Sequence, residues 1–404
     1  MDQFLRGLLQ DLAWRSEALK QRLASVPSDP DTADYALHAY TSLERVRRSA
    51  SQLASSPDLG SQALLPIYVR QYKRLYEEVS LVEAYLIPFV ERYNQQDRLL
   101  TGACRLLAEQ VGWPLKAPLV GSFSSDYYWT VADFNVICVP AAEDSSLLGL
   151  SDLSHEMGHI LMLHYEQKLA GDFVQEVARY VQQAQTNVVN QQRSPEYLGL
   201  YDKLLASWGD EWLQEFACDM IATYLVGPAY AWQHIRLSTG SHSEIYHPAL
   251  GEAGGHPADE ARLRGIIAVL ERMGLTGKAQ EVKALWDSYL MVNAQVPTTD
   301  YDACYPQHLI DSLADRVIAG CRAIGLHSFN DHDTVPASST GGDATSADQD
   351  GTGLGGSVAH PAELANLPRL LNEAWEVFLA TPDTYHDWEH RQLASLWQRL
   401  TTGS

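Results

Sequence analysis

The stretch SDLSHEMGHILMLHYE, Ser151 to Glu166, constrains this chain more than any other, because it sets ionisable side chains into an otherwise apolar segment. Ile160, Leu161, Met162 and Leu163 follow the HEMGH motif, and Leu148, Leu150 and Leu153 precede it, so the segment reads as a buried helix. Four residues span about 400° of helical rotation, which puts His155 and His159 on one face, on adjacent turns, with Glu156 beside them. That is what a tetrahedral Zn2+ needs from its first two ligands. The motif is short for a chain with 14 histidines, and incidental histidines on a surface or core helix are the bland alternative. Context favours the metal: DYYWTVADFNVICVP, Asp126 to Pro140, reads as one or two strands, followed by a short polar loop and then the motif helix.

A catalytic zinc takes three protein ligands and a water, so the motif needs a third ligand. The segment GDEWLQEFACDMIATYLVGPAY, Gly209 to Tyr230, repeats Glu211, Glu215 and Asp219 at i, i+4 and i+8. Trp212, Leu213, Phe216, Met220, Ile221, Tyr224 and Leu225 fill the other directions. On one helix alone such an acidic stripe would be expected to face solvent. Beside HEMGH it is the expected source of the third ligand.

Together the motifs resemble those of the gluzincins, HExxH metallopeptidases whose third ligand is a Glu on a later helix. EFACD matches an ExxxD arrangement in which the first acid binds zinc and the second orients a zinc-ligating His. The resemblance implies Glu215 as third ligand and Asp219 as the orienting acid, with Glu211 as the fallback ligand. A carboxylate on the remaining imidazole N–H fixes tautomer and ring direction. GGHPADEARLRGI, with His256, Pro257 and Arg262, is similar to the HPxxxxR element of the membrane-embedded CAAX prenyl-protein and heat-shock-induced proteases. There the His helps bind the oxyanion and the Arg supports the site, roles that the resemblance carries to His256 and Arg262. His247 also precedes a proline but has no basic residue at the right distance, and Pro257 opening a helix is the plain alternative.

The resemblance covers about residues 130 to 265. Those relatives carry transmembrane helices around the catalytic core, whereas here no 18 apolar residues run together, so neither a membrane nor a prenylated substrate is carried over. It implies a soluble endopeptidase with one catalytic Zn2+ on His155, His159 and Glu215, and with Glu156 as general base. The strand near Phe134 to Val139 is expected at the edge of a sheet, where it would pair with an extended peptide. Two further readings stand beside this one. The first is a zincin-fold scaffold or interaction module that binds zinc without catalysis, which the intact Glu156 speaks against. The second is a zinc hydrolase of a small non-peptide substrate.

Elsewhere the chain is ordinary and mostly helical. Residues 1 to 115 show helical periodicity broken at SVPSDPD, SSPDLGS and VGWPLKAP, which predicts about four helices. The expected fold is α+β and predominantly α-helical: a zincin-like core with a small sheet at 116–270, between helical regions at 1–115 and 271–404. Asp331 to Ser357 has five Asp, no Lys or Arg and almost no large apolar side chain, so it is expected to be a flexible acidic, Gly/Ser-rich loop. This loop and the helical flanks are the candidates for restraining the protease until a regulatory protein partner or stress signal arrives. His386 and His390 share an i, i+4 spacing but lack an adjacent Glu and an apolar helix behind them. The formal net charge of -22 argues against nucleic acid and anionic membrane as partners. Five widely spaced cysteines without a CxxC suggest neither a disulfide framework nor a thiolate cluster, and with no secretory signal the expected location is cytoplasmic.

Overall fold

The structure, a computed structural model, describes residues 2–124, 127–141, 143, 145–192, 194, 196–209, 211–240, 245–251, 255–333 and 366–402. It is predominantly helical with one small sheet, and its contacts group into two compact units: 1–101 with 118–141, and 102–117 with 142–404.

The first unit opens with α1 (Asp2–Ala24), α2 (Ala33–Ala54), α3 (Leu65–Leu81), α4 (Ile87–Arg92) and the start of α5 (Gln95–Gln110). Leu5, Leu9, Leu12 and Leu19 recur at helical spacing along α1, and Ala39, Leu43, Val46 and Ala50 along α2; both rows are buried in one apolar core. Three strands complete the unit: β1 (Leu119–Ser124), β2 (Trp129–Val131) and β3 (Val136–Pro140). Their order is β1-β3-β2, with β3 parallel to β1 and antiparallel to β2. Asn135, at φ 55°, makes the left-handed turn into β3, a conformation that Asn tolerates better than most residues.

The order corrects the expectation of an edge strand near Phe134 to Val139. Phe134 lies in a short 3₁₀ turn, and β3 is the central strand, buried along its length and paired on both sides. Val136 to Cys138 are flanked by β1 on one side and β2 on the other, so that stretch offers no open edge for a peptide to join by strand addition.

The second unit holds α6 (Asp152–Leu169), α7 (Phe173–Asn190), α8 (Glu196–Gly209), α9 (Glu211–Val226), α10 (Pro228–Gly240), α11 (Asp259–Arg272), α12 (Thr276–Asn293), α13 (Tyr301–Cys304), α14 (Gln307–Ala323), α15 (Leu367–Ala380) and α16 (Pro382–Thr402). Helix α9 is its axis: every residue from Glu215 to Val226 is buried, and α6, α8, α10, α11, α14 and α15 pack around it. A helix that is apolar nearly all round requires such a jacket. Helices α6 and α9 make the most extensive contact in this unit, because Gly158 leaves room for the α9 backbone: a Cβ there would lie 3.0 Å from Cys218 Cα.

The two units cut across the three regions read from the sequence, since the strands group with the N-terminal helices and the motif helix with the C-terminal ones. Of the acidic loop, Asp331 to Asp333 end a 3₁₀ turn and the remainder lies outside the described residues. All five cysteines are buried and none forms a disulfide. Among the described residues no helix is long and apolar enough to cross a membrane.

Candidate metal centre

Helix α6 presents His155, Glu156 and His159, and α9 presents Glu215 and Asp219, where the two helices touch at Gly158 and Cys218. His155 Nε2 is 3.6 Å from Glu215 Oε2 and His159 Nε2 is 3.5 Å from Glu215 Oε1. One ligating atom from each of the three residues lies within 4.8 Å of the others, so the trio could hold a metal ion. Bonds of about 2.0–2.1 Å from a tetrahedral ion to N and O put neighbouring ligand atoms roughly 3.3 Å apart, close to these separations.

Glu215 Oε2 carries the test of fit. It is buried and accepts no well-formed hydrogen bond among the described residues, although His256 Nδ1 and Arg262 Nη2 each stand 3.2 Å away. A buried carboxylate oxygen left so is costly, and a cation between Glu215 and the two imidazoles would satisfy it. Two imidazoles and a carboxylate are a donor set that suits zinc.

The surrounding charges are locked together. Arg262 grips Asp219 with Nε to Oδ2 and Nη2 to Oδ1, both at 2.7 Å, a bidentate pair. Asp219 Oδ1 also lies 3.0 Å from His155 Nδ1, the ring nitrogen on the far side from Glu215. Burial opposes ionisation of Glu215 and Asp219, but the Arg262 guanidinium outweighs it and holds both carboxyls well below the usual carboxylate range. Burial disfavours a charged His155 as well, yet the bond to Asp219 and the nearby carboxylates lift it to about 9. Burial and repulsion by His155 push His159 down to about 4. Burial raises Glu156 to about 8, against the pull of His155.

Six of the residues singled out from the sequence therefore meet: His155, His159, Glu215, Asp219, His256 and Arg262. Glu156 is buried beside the two histidines on α6. Glu211, the fallback, sits at the start of α9 outside the trio, so Glu215 is the acid that completes the cluster. The solvent-facing alternative for the stripe fails at Glu215 and Asp219, which are 8% and 0% exposed. His256 keeps 64% of its side chain exposed while touching Glu215. His247 is exposed and does not join the trio, and His386 and His390 are exposed on α16.

Three contacts were not legible in the sequence. Tyr230 Oη lies 2.9 Å from His155 Nδ1 and donates to Asp219 Oδ1. Tyr305 Oη accepts from the Ala258 N–H at 3.0 Å, fixing the backbone just before α11. Gln233 Nε2 donates to Asp152 Oδ2 at 2.6 Å, and burial raises that carboxyl to about 7 despite this bond. The only signal for Tyr230 was its place three residues after Gly227, in a VGPAY run that turns the chain back after α9. No family model matches the chain, and the searches of curated proteins and of solved structures found no match.

Proposed function

We propose that the chain is a zinc-dependent metallopeptidase that hydrolyses peptide bonds. The observation that carries the reading is the buried trio of His155, His159 and Glu215, at separations suited to a tetrahedral ion, with Glu156 next to His155 on the same helix. Zinc, when bound, supplies Lewis-acid polarisation of a carbonyl and acidifies a water to a pKa of about 7. His155, His159 and Glu215 are the residues to hold it. In its carboxylate form, which a cation nearby would favour against the effect of burial, Glu156 takes the proton of the attacking water and returns it to the leaving amine, a role worth roughly 10²–10⁴ in rate. His256, exposed beside the cluster and 3.2 Å from Glu215, is in this reading the donor to the oxyanion as it forms. Arg262 keeps Glu215 and Asp219 ionised, so the carboxylates remain ligand and orienting partner.

The test begins with metal content of the purified protein by mass spectrometry. One equivalent of zinc is expected in the parent and in Glu211→Ala, and none in His155→Ala or Glu215→Ala. Glu156→Gln should keep the metal and lose peptide hydrolysis by roughly 10²–10⁴. A metal-loaded parent no faster than Glu156→Gln across a broad set of peptides would exclude a peptidase and leave a zinc-binding module or a hydrolase of small molecules.

A further inference from the structure

Tyr230 is almost fully buried on α10 and faces the side of His155 turned away from Glu215. Its ring lies nearly parallel to the imidazole, at 12° with centroids 5.9 Å apart, while its hydroxyl reaches Nδ1. It therefore cannot touch anything held at Nε2. The hydroxyl has one proton, and that proton goes to Asp219 Oδ1. Only a lone pair is left for Nδ1 at 2.9 Å, so the contact is favourable only if Nδ1 carries a hydrogen and donates it. Asp219 Oδ1, 3.0 Å from the same nitrogen, makes the same demand. Two acceptors on Nδ1 hold a hydrogen there and turn Nε2, 3.6 Å from Glu215 Oε2, toward the cluster, where it can give its lone pair to a metal that displaces any proton on it.

The backbone that carries Tyr230 is tightly held. Gly227 turns the chain between α9 and α10 at φ +63°, where an added Cβ would lie 2.7 Å from the Phe329 ring. Asn372 pins both sides of the turn, its Oδ1 accepting from Ala229 N at 2.9 Å and its Nδ2 donating to Val226 O at 2.8 Å. Three residues after Gly227, the hydroxyl has little freedom to move away from His155.

We propose that Tyr230 is a positioning residue that selects the Nδ1–H tautomer of His155 and fixes the rotation of its ring, so that Nε2 is presented for metal binding. Asp219 alone would constrain the imidazole through one oxygen that it also shares with Arg262. Tyr230 adds a second acceptor, brought in from a different helix. This rests on the reading of His155 as a metal ligand.

The experiment titrates the full-length parent and Tyr230→Phe with zinc against a chromophoric chelator, and records the visible spectrum of each protein loaded with Co2+. The Phe variant keeps the ring and loses the hydroxyl. Its zinc Kd is expected to weaken about 10–100-fold, the usual effect of removing a partner of a ligating imidazole, with a shifted Co2+ band and an unchanged far-ultraviolet spectrum. A Kd within about twofold of the parent with the same Co2+ band overturns the proposal, even if the variant melts lower, because that outcome assigns the hydroxyl to folding alone. Histidine 15N spectra of the zinc-loaded parent provide a check that does not depend on the variant folding. Zinc on Nε2 with a hydrogen on Nδ1 is expected, and zinc on Nδ1 overturns the proposal. A parent that takes up no divalent metal removes His155 as a ligand and both readings with it, a result distinct from a parent that binds and a variant that matches it.

Discussion

Asp219 is completely buried and ionised, and its two oxygens receive Arg262 twice, Tyr230 and the imidazole of His155. Taking such a group from water is expensive, and partners on every side are what make it tolerable. Removing one partner is therefore worse than never having built the pair. Arg262→Met should destabilise the metal-free protein by about 3–5 kcal/mol, because Asp219 and Glu215 would remain as uncompensated buried charges. Urea unfolding followed by circular dichroism measures it, and a change below about 1 kcal/mol would show that water reaches these carboxylates. The identities of His155, Glu156, His159, Glu215, Asp219, His256 and Arg262 were all legible as motif positions. Tyr230 was not, because a hydroxyl three residues past a turn carries no directional information until the turn is folded.

At the scale of elements, the site depends on how closely α6 and α9 approach. Gly158 occupies a free position of HEMGH, and its missing side chain is what brings the two helices together at Cys218. A branched side chain there must push α9 away and take Glu215 with it. Gly158→Val should weaken zinc affinity at least tenfold and lower stability by about 1–3 kcal/mol, the usual cost of overpacking. Isothermal titration with zinc and thermal melts check the two effects, and a variant with parental zinc affinity would refute the spacing argument. The helices themselves were readable from periodicity, as was a strand-forming run before the motif. The place of β3 in its sheet was not: a buried apolar run reads alike for an edge and a central strand until its neighbours are known.

Over the whole molecule, 51 acidic residues stand against 29 basic ones, so cations within the acidic surface are in demand. In the first unit Glu44 gathers three of them: Arg47, Lys20 and Arg48. Hydrogen bonds from Arg47, then Lys20 and Arg48, hold its carboxyl well below the usual carboxylate range. A lowered folded-state pKa stabilises the fold above the unfolded value of about 4.3, and that contribution is lost as the pH falls further. Glu44→Gln should accordingly melt below the parent at pH 7, with the gap closing as the pH drops under about 4. Melting curves across that range test it, and a gap independent of pH would remove the electrostatic explanation. The sequence by itself determined the helical character of most of the chain and the pairing of His155 with His159, since both follow from spacings within a single segment. It also narrowed the third ligand to one acidic stripe. Only the tertiary structure decided for Glu215 over Glu211, placed β3 at the centre of its sheet, and brought Tyr230 and Arg262 onto Asp219. Those outcomes depend on which distant segments pack around α9, and no local periodicity encodes that.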